Sequence, residues 1–400
     1  TKFANGLDNS MRFDFDEDQK SIRNDARRFL TDRCAADAVR DYLDGDQAEV
    51  SPLWHEISEL GWLGVAIPEE FGGLGMGYLE LCVLAEELGR VVAPVPFASS
   101  IYLAAEAILR FGSRAQKEKY LPVMASGQVI GTMAWADLQP GGESLHSAEP
   151  LQFLDGHLTG AKWPVPFGAL ADIVVLGVRN ARGEVELVLA ELSPSVDQSD
   201  ATITRSPLGS VDPSQANAEL DFYQHPAEIL GDTAHGDQAL DEILNRAAVM
   251  MSFEQLGGAD RCREMAIEHV LQRSTFGRIV GSYQAVKHKL AMMYARNELA
   301  RSNAYYGAWA LSADSVELPI AASAARVSAS ESAEFATREA LHLHGGMGYT
   351  WEVDCHLYLK RSRELALRLG SIRRWKEKLV AATLASTRDP ETTPTWLANS

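Results

Sequence analysis

Residues 341–352 read LHLHGGMGYTWE and stand between two long helix-period patterns. Gly345, Gly346 and Gly348 leave the backbone without side-chain cover, so a flat or charged ligand can approach its amides closely. Such a loop, opened by His342 and entered from a helix, suits a pyrophosphate. The same glycines also suit a helix end that only caps and turns the chain, and the segment alone leaves both readings open. The helical pattern that follows, HLYLKRSRELALRLGS, is expected to bring Leu369, Gly370 and Ser371 back near the same place.

Moving outward, the chain divides into zones of different period. Residues 14–127 carry successive amphipathic patterns, among them DEDQKSIRNDARRFL, YLELCVLAEELGRVV and SIYLAAEAILRFG, and predict an all-helical N-terminal domain. Within it IPEEFGGLGMG follows no strand and lacks dinucleotide-fingerprint spacing, so it reads as a loop between helices. Residues 128–235 switch to alternating, β-branched segments such as DIVVLGVRN and EVELVLAEL, with Asp155-Gly156 and Arg182-Gly183 as turns, and predict a small β domain. Helical patterns resume over 236–386, and 387–400 is a polar tail expected to lack regular structure.

Composition bounds the function. With 400 residues, 46% hydrophobic and 23% charged, the chain reads as an ordinary globular protein of two or three domains. No apolar run reaches the roughly 18 residues of a spanning helix, and the polar, acidic start TKFANGLDNSMRFDFDEDQ is no signal peptide, so a cytoplasmic location is expected. The absence of an initiator methionine points to processing or an added remnant before Met11. Cys34, Cys82, Cys262 and Cys355 form no CxxC pair and read as reduced thiols, with no metal site expected. A net charge of −18 argues against nucleic acid, so an anionic ligand must be met by local basic residues.

Five segments in order carry a resemblance: ELGWLGVAIPEEFGGLGMG, EELGRVVAPVPFASS, FGSRAQKEKYLPVMASGQVIGTMAW, RSTFGRIVGSYQAVKHKLAMM and LHLHGGMGYTWE. Together they resemble the acyl-CoA dehydrogenase family over nearly the whole chain. The resemblance implies a helical N-terminal domain, a middle β-barrel domain and a C-terminal four-helix bundle. It also implies FAD held partly across a subunit interface in a dimer of dimers, an acyl-CoA substrate, and an electron-transfer flavoprotein as acceptor. Arg273, Phe276 and Gln284 match family residues that contact the adenosine diphosphate half of the flavin, as do His342, Gly345, Gly346 and Ser371. An arginine there serves as a charge-assisted partner of pyrophosphate. Phe276 also suits a plain bundle-core residue.

The chemistry of that family sets what else is needed. An α-C–H is too weak an acid for a carboxylate unless the enolate is stabilised and the base is desolvated. The usual base positions fall on Leu369 and Ala247, which cannot take a proton. The nearest substitute is Glu254, seven residues beyond Ala247 on the same helix face, and an isolated Glu there is either functional or a paired core charge. Glu352 and Asp354 are expected to orient the interface.

The half that should hold the flavin ring also departs from the pattern. Gln139-Pro140-Gly141-Gly142-Glu143-Ser144 replaces a Glu-Pro turn followed by Gly-Ser-Asp. Trp163-Pro164-Val165-Pro166-Phe167-Gly168 replaces an aromatic-hydrophobic-Thr strand, and Pro164 and Pro166 remove two backbone donors.

Three functions compete on these residues. One is FAD-dependent α,β-dehydrogenation of an acyl-CoA by an oligomer, with Glu254 as base. Another is a degenerate subunit lending cofactor residues to a partner, as in the heteromeric bacterial members that shorten steroid side chains. The third is a flavin-free scaffold. The apolar residues 247–253 with Gly257 and Gly258 suit a bulky acyl group, and Arg363, Arg368, Arg373 and Arg374 are candidates for coenzyme A phosphates, although a solvated helix face explains them equally.

Overall fold

The computed structural model describes residues 16–45, 49–135, 151–180, 182–192, 202–232 and 236–388. The N-terminal part holds six helices: α1 (Glu17–Arg33), α2 (Ala36–Asp44), α3 (Pro52–Glu59), α4 (Tyr78–Arg90), α5 (Glu106–Phe111) and α6 (Arg114–Ala125). Capping chemistry sets two of their starts. Asp16 with Gln19, and Ser113 with Gln116, form reciprocal capping boxes at α1 and α6. Residues 67–77 connect helices, as their composition implies, with one 3-10 turn at Glu69–Phe71, and a Cβ on Gly73 would lie 2.0 Å from the Ile67 carbonyl oxygen. Only glycine fits that approach. Ahead of α5, Ala98–Ala105 is a fully buried π-helical stretch.

The middle region contains β1 (Gly131–Ala134), β2 (Gln152–Leu154), β3 (His157–Val165), β4 (Ile173–Arg179), β5 (Val185–Glu191), β6 (Ile203–Pro207), β7 (Ala218–Pro226) and β8 (Glu228–Ile229). They form two four-stranded sheets, β1-β4-β5-β8 and β2-β3-β7-β6. Asp155 and Gly156, at φ 49° and 79°, turn β2 into β3, the left-handed pair that an Asp-Gly hairpin requires. The expected barrel is not closed among the described residues; the sheets instead face one another. Val174, Leu176 and Val178 of β4 meet Leu158, Leu220 and Phe222 of the other sheet in one core. Ile173 and Val175, on the alternate face, join the helical core. Burial on both faces explains why β4 reads as a continuous apolar run.

The C-terminal part comprises α7 (Gly236–Gln272), the hairpin β9 (Ser274–Thr275) and β10 (Arg278–Ile279), α8 (Gln284–Ser312), α9 (Leu318–His344), α10 (Cys355–Arg368) and α11 (Ile372–Arg388). The long helices α7, α8 and α9 pack on one another, and α11 lies along α9. Helix α11 runs two residues past the expected start of the tail, and residues 389–400 lie outside the described ones. The first and last parts share a single hydrophobic core, running from Leu30 and Trp54 through Leu84 to Phe253, Ala329 and Trp375. Helix α4 packs directly on α7 and makes that continuity.

Candidate functional site

The C-terminal end of α7, the start of α8 and the end of α9 meet at one pole of the helical part. The rings of His269 and His344 lie 4.4 Å apart and tie α7 to α9. Glu339 of α9 pairs with Lys289 of α8 and lies 3.7 Å from His342. Arg273 follows α7 and leads into the short hairpin, whose tip is Phe276 at φ 52° and Gly277 at φ 77°. Tyr283 braces the hairpin by donating its hydroxyl to the Thr275 carbonyl at 3.0 Å, with the Arg278 guanidinium 3.7 Å above its ring.

This pole faces outward. Arg273, Gln284, His342, Gly345 and Gly346 are exposed, and Phe276 is 94% exposed. That excludes bundle-core filling for Phe276 within this chain. A Cβ on Gly277, Gly345 or Gly346 would meet nothing within 4 Å, so the first two glycines of the 3-10 turn Gly345–Tyr349 are bare backbone open to a ligand, whereas Gly348 is buried against the Leu341 carbonyl. Of the residues in the loop and hairpin, six of the seven expected cofactor contacts (Arg273, Phe276, Gln284, His342, Gly345, Gly346) thus share one end.

Ser371 is the exception, and the expectation that α10 returns the chain to the glycine loop is corrected. Helix α10 begins at Cys355, whose Sγ lies 3.4 Å from His344 Nδ1. It then runs away for 14 residues, about 21 Å at 1.5 Å per residue. Ser371 ends up beside the start of α11, where Lys376 pairs with Glu331 in the middle of α9. Asp354 is likewise not free to orient an interface, because Arg40 of α2 holds it at 2.6 Å.

On the flavin-ring side, residues 139–144 lie outside the described residues. Pro164 sits in a register break of the β3–β7 ladder between Lys162 and Val165, where a residue without an N–H costs no ladder bond. The Pro166 carbonyl accepts from Thr132 Oγ1 at 2.5 Å, which pins that segment to β1. Just beyond β1, Trp135 is 3% exposed and its indole Nε1 makes no hydrogen bond among the described residues. A buried donor without a partner fits an acceptor atom of a bound group such as a flavin edge.

Both usual base positions are packed with apolar side chains. Ala247 is fully buried, and Leu369 is 1% exposed with its carbonyl held by Trp375 Nε1 at 2.9 Å. Glu254 is buried but not isolated. Its Oε1 lies 3.3 Å from Arg361 Nη1 of α10, and Arg361 also binds Asp212 at 2.6 Å, Ser214 Oγ at 2.8 Å and the carbonyls of Val92 and Ala93 at 3.1 Å. Burial pushes the Glu254 carboxyl above its ordinary range, opposed by the charges of Arg361 and Arg368. Beside it is a cavity of about 10 Å³ lined by Gly258, Thr337 and Tyr358, with room for one water at most. Of the two readings open for Glu254, a functional carboxylate or a paired core charge, the structure shows the pairing, with Oε2 alone unclaimed among the described residues.

A larger opening lies at the other end of α7. A cleft of about 820 Å³ is lined by Arg110, Asp237, Asp241, Glu242, Asn245, Asp314 and Arg374, among others. Most of its acids are already neutralised: Asp241 by Lys378, Glu242 by Arg110, and Asp314 by Arg110 and Arg246. Two buried atoms on its wall, Asn245 Oδ1 and Arg374 Nη1, make no hydrogen bond among the described residues. Of the four arginines considered for coenzyme A, only Arg374 lines this cleft. Arg363 pairs with Glu334, Arg368 with Glu364 and Arg373 with Glu377. Sequence reasoning missed Asn245 and Trp135, because a polar group that lacks a partner has no signature in composition or spacing.

Known proteins resemble this chain over most of its length. Residues 16–128 match the acyl-CoA dehydrogenase N-terminal domain and residues 235–373 its C-terminal domain. The acyl-CoA dehydrogenase IpdE2 of Mycolicibacterium smegmatis is 30% identical over 91% of this chain and 98% of its own length. Among solved structures, the Tcur3481-Tcur3483 steroid ACAD superimposes at TM-score 0.81 with 26% identity, covering 93% of this chain and 99% of that one. The ChsE4-ChsE5 complex of Mycobacterium tuberculosis superimposes at 0.82 with 25% identity, over 94% and 99%. Family-model matches to both helical parts, with a relative aligned end to end, establish that the chain belongs to the acyl-CoA dehydrogenase family, FAD-dependent oxidoreductases that act on acyl-CoA thioesters.

Proposed function

We propose that the chain dehydrogenates the Cα–Cβ bond of a bulky acyl-CoA thioester as one subunit of a hetero-oligomer. The observation that carries the oligomer is the outward-facing pole: an exposed Phe276 with Arg273, Gln284, His342 and the bare Gly345–Gly346 backbone forms half a site. These residues would hold the adenosine diphosphate half of FAD for a neighbouring chain, Ser371 reaching a different point of the assembly, while Trp135 faces the flavin ring of the chain's own site. FAD, when bound, supplies the electron sink for the β-hydrogen. Two related structures pair different chains by name, and one of them is named a steroid enzyme; this supports a heteromer acting on a large acyl group. Domain limits near residues 127 and 235, a C-terminal four-helix bundle, association as a dimer of dimers through it, an electron-transfer flavoprotein as acceptor and a cytoplasmic location complete the reading.

The cleft at the start of α7 is where coenzyme A fits. Asn245 Oδ1 accepts an amide N–H of the pantetheine arm, and Arg374 meets a phosphate, each filling an unmet hydrogen bond. The acyl group is assigned to the apolar face of α7 at Ala247 and Met251, both fully buried, so the packing there must open to seat it. Proton removal from Cα is assigned to Glu254: burial raises its pKa toward that of a weak carbon acid, and Oε2 is available. Arg361 on Oε1 favours the charged form and weakens that base, so the pairing also supports a second reading in which Glu254 is a core charge and the proton acceptor comes from the other chain.

The deciding experiment uses the chain purified with its partner. The reading expects a yellow assembly that reduces an artificial acceptor with acyl-CoA, and Glu254→Gln that keeps its flavin and loses turnover. A colourless assembly without acyl-CoA activity rejects the function. Unchanged turnover in Glu254→Gln moves the base to the partner.

A further inference from the structure

We infer that the Tyr102 hydroxyl donates a hydrogen bond to a carbonyl oxygen of the bound acyl thioester; this rests on the acyl-CoA reading above. Tyr102 is fully buried, and its Oη makes no hydrogen bond among the described residues. A phenol taken out of water with no partner loses its hydration for nothing in return, which is why buried hydroxyls are nearly always paired. The partner is therefore sought in a ligand.

The surroundings say which kind. Tyr102 stands in the π-helical stretch Ala98–Ala105, which packs against α7 and β1. The contact with β1 is close: Gly131 N donates to Ser100 Oγ at 3.1 Å, and a Cβ on Gly131 would lie 2.7 Å from that of Ala104. The rings of Phe97 and Tyr102 pack edge to face, centroids 5.5 Å apart. So the hydroxyl projects from an irregular helical turn wedged between the α7 face assigned to the acyl group and the strand that leads to Trp135. π-Helical insertions of this kind recur at functional sites. Burial, and then the charge of Glu254, raise the phenol pKa well above its ordinary value, so the group stays protonated and acts as a donor. The same buried Glu254 disfavours a second carboxylate, which selects a neutral carbonyl acceptor. Two carbonyls qualify: that of the thioester itself, and a ketone further along the acyl chain.

The test compares binding of two non-oxidisable acyl-CoA analogues of equal length, one plain and one with a ketone in the chain, to the flavin-loaded assembly and to its Tyr102→Phe variant. The expected result is a roughly tenfold weaker Kd in the variant, the size of one hydrogen bond. Loss on both analogues assigns the thioester carbonyl, and loss on the ketone analogue alone assigns the remote carbonyl. Equal affinities in wild type and variant for both analogues overturn the role of Tyr102. A wild type that binds neither overturns the acyl-CoA reading itself. Flavin content and melting temperature of Tyr102→Phe are expected to match or exceed wild type, since the variant removes an unpaired buried hydroxyl; a drop in both, with weaker binding of every ligand, would mark a packing role and also overturn the inference.

Discussion

A Cβ on Gly89 of α4 would lie 1.9 Å from the carbonyl oxygen of Glu254 on α7. The relationship is reciprocal one turn away, where a Cβ on Gly257 would lie 1.9 Å from the Glu86 carbonyl oxygen. The two helices therefore cross backbone against backbone, and this crossing joins the first and last parts of the chain into one core.

Gly257→Ala is expected to destabilise the protein by at least the about 1–3 kcal/mol typical of overpacking, because the obstacle is backbone. Gly258→Ala meets nothing closer than 3.5 Å and is expected to be neutral or stabilising by up to about 1 kcal/mol from helix propensity. Urea midpoints of the two variants check the contrast; equal midpoints would mean that the crossing is looser than described.

Arg361→Met strips Asp212 and Glu254 of their shared cation at a position only 4% exposed. Breaking a buried pair from one side costs about 3–5 kcal/mol, and that loss is expected in equilibrium unfolding. Arg373→Met, at an exposed pair, serves as the control and should change stability by no more than about 0.5 kcal/mol.

Arg273→Ala is expected to leave the melting temperature of the isolated chain unchanged, since the residue is exposed, and to lower flavin retained per assembly after gel filtration. Full flavin content in the variant would return Arg273 to a surface role.

Acidification should loosen the pole where His269 meets His344. Burial, then the neighbouring charges of His344 and Arg273, lower the His269 pKa below its ordinary 6.5. A group with a depressed cationic pKa leaves the folded state with fewer protons than the unfolded one, so its contribution is complete above 6.5 and shrinks as pH falls through 6.5 toward the folded value. His269→Gln should flatten the fall in stability as pH drops through 6.5, read from urea midpoints on either side of it. An unchanged slope would assign the acid sensitivity elsewhere.

Much of the architecture was legible in the residues. Period 3.6 before residue 128 and after residue 236, period 2 between them, and Asp155-Gly156 at a hairpin are local chemistry, and local chemistry is written in sequence order. The grouping of residues at the exposed pole was legible for a similar reason: Arg273, Phe276 and Gln284 lie within twelve residues, and the bare Gly345–Gly346 backbone follows from glycine alone. The tertiary structure decided what depends on distance between remote segments. Glu254 looked isolated because its partner, Arg361, is 107 residues away. Ser371 was expected near the glycine loop because the helix between them was read as returning the chain, yet the 14 residues of α10 carry it about 21 Å off. Asn245, Trp135 and Tyr102 became visible only through buried polar atoms left without partners, and a missing partner is a property of the packed fold, not of any stretch of sequence.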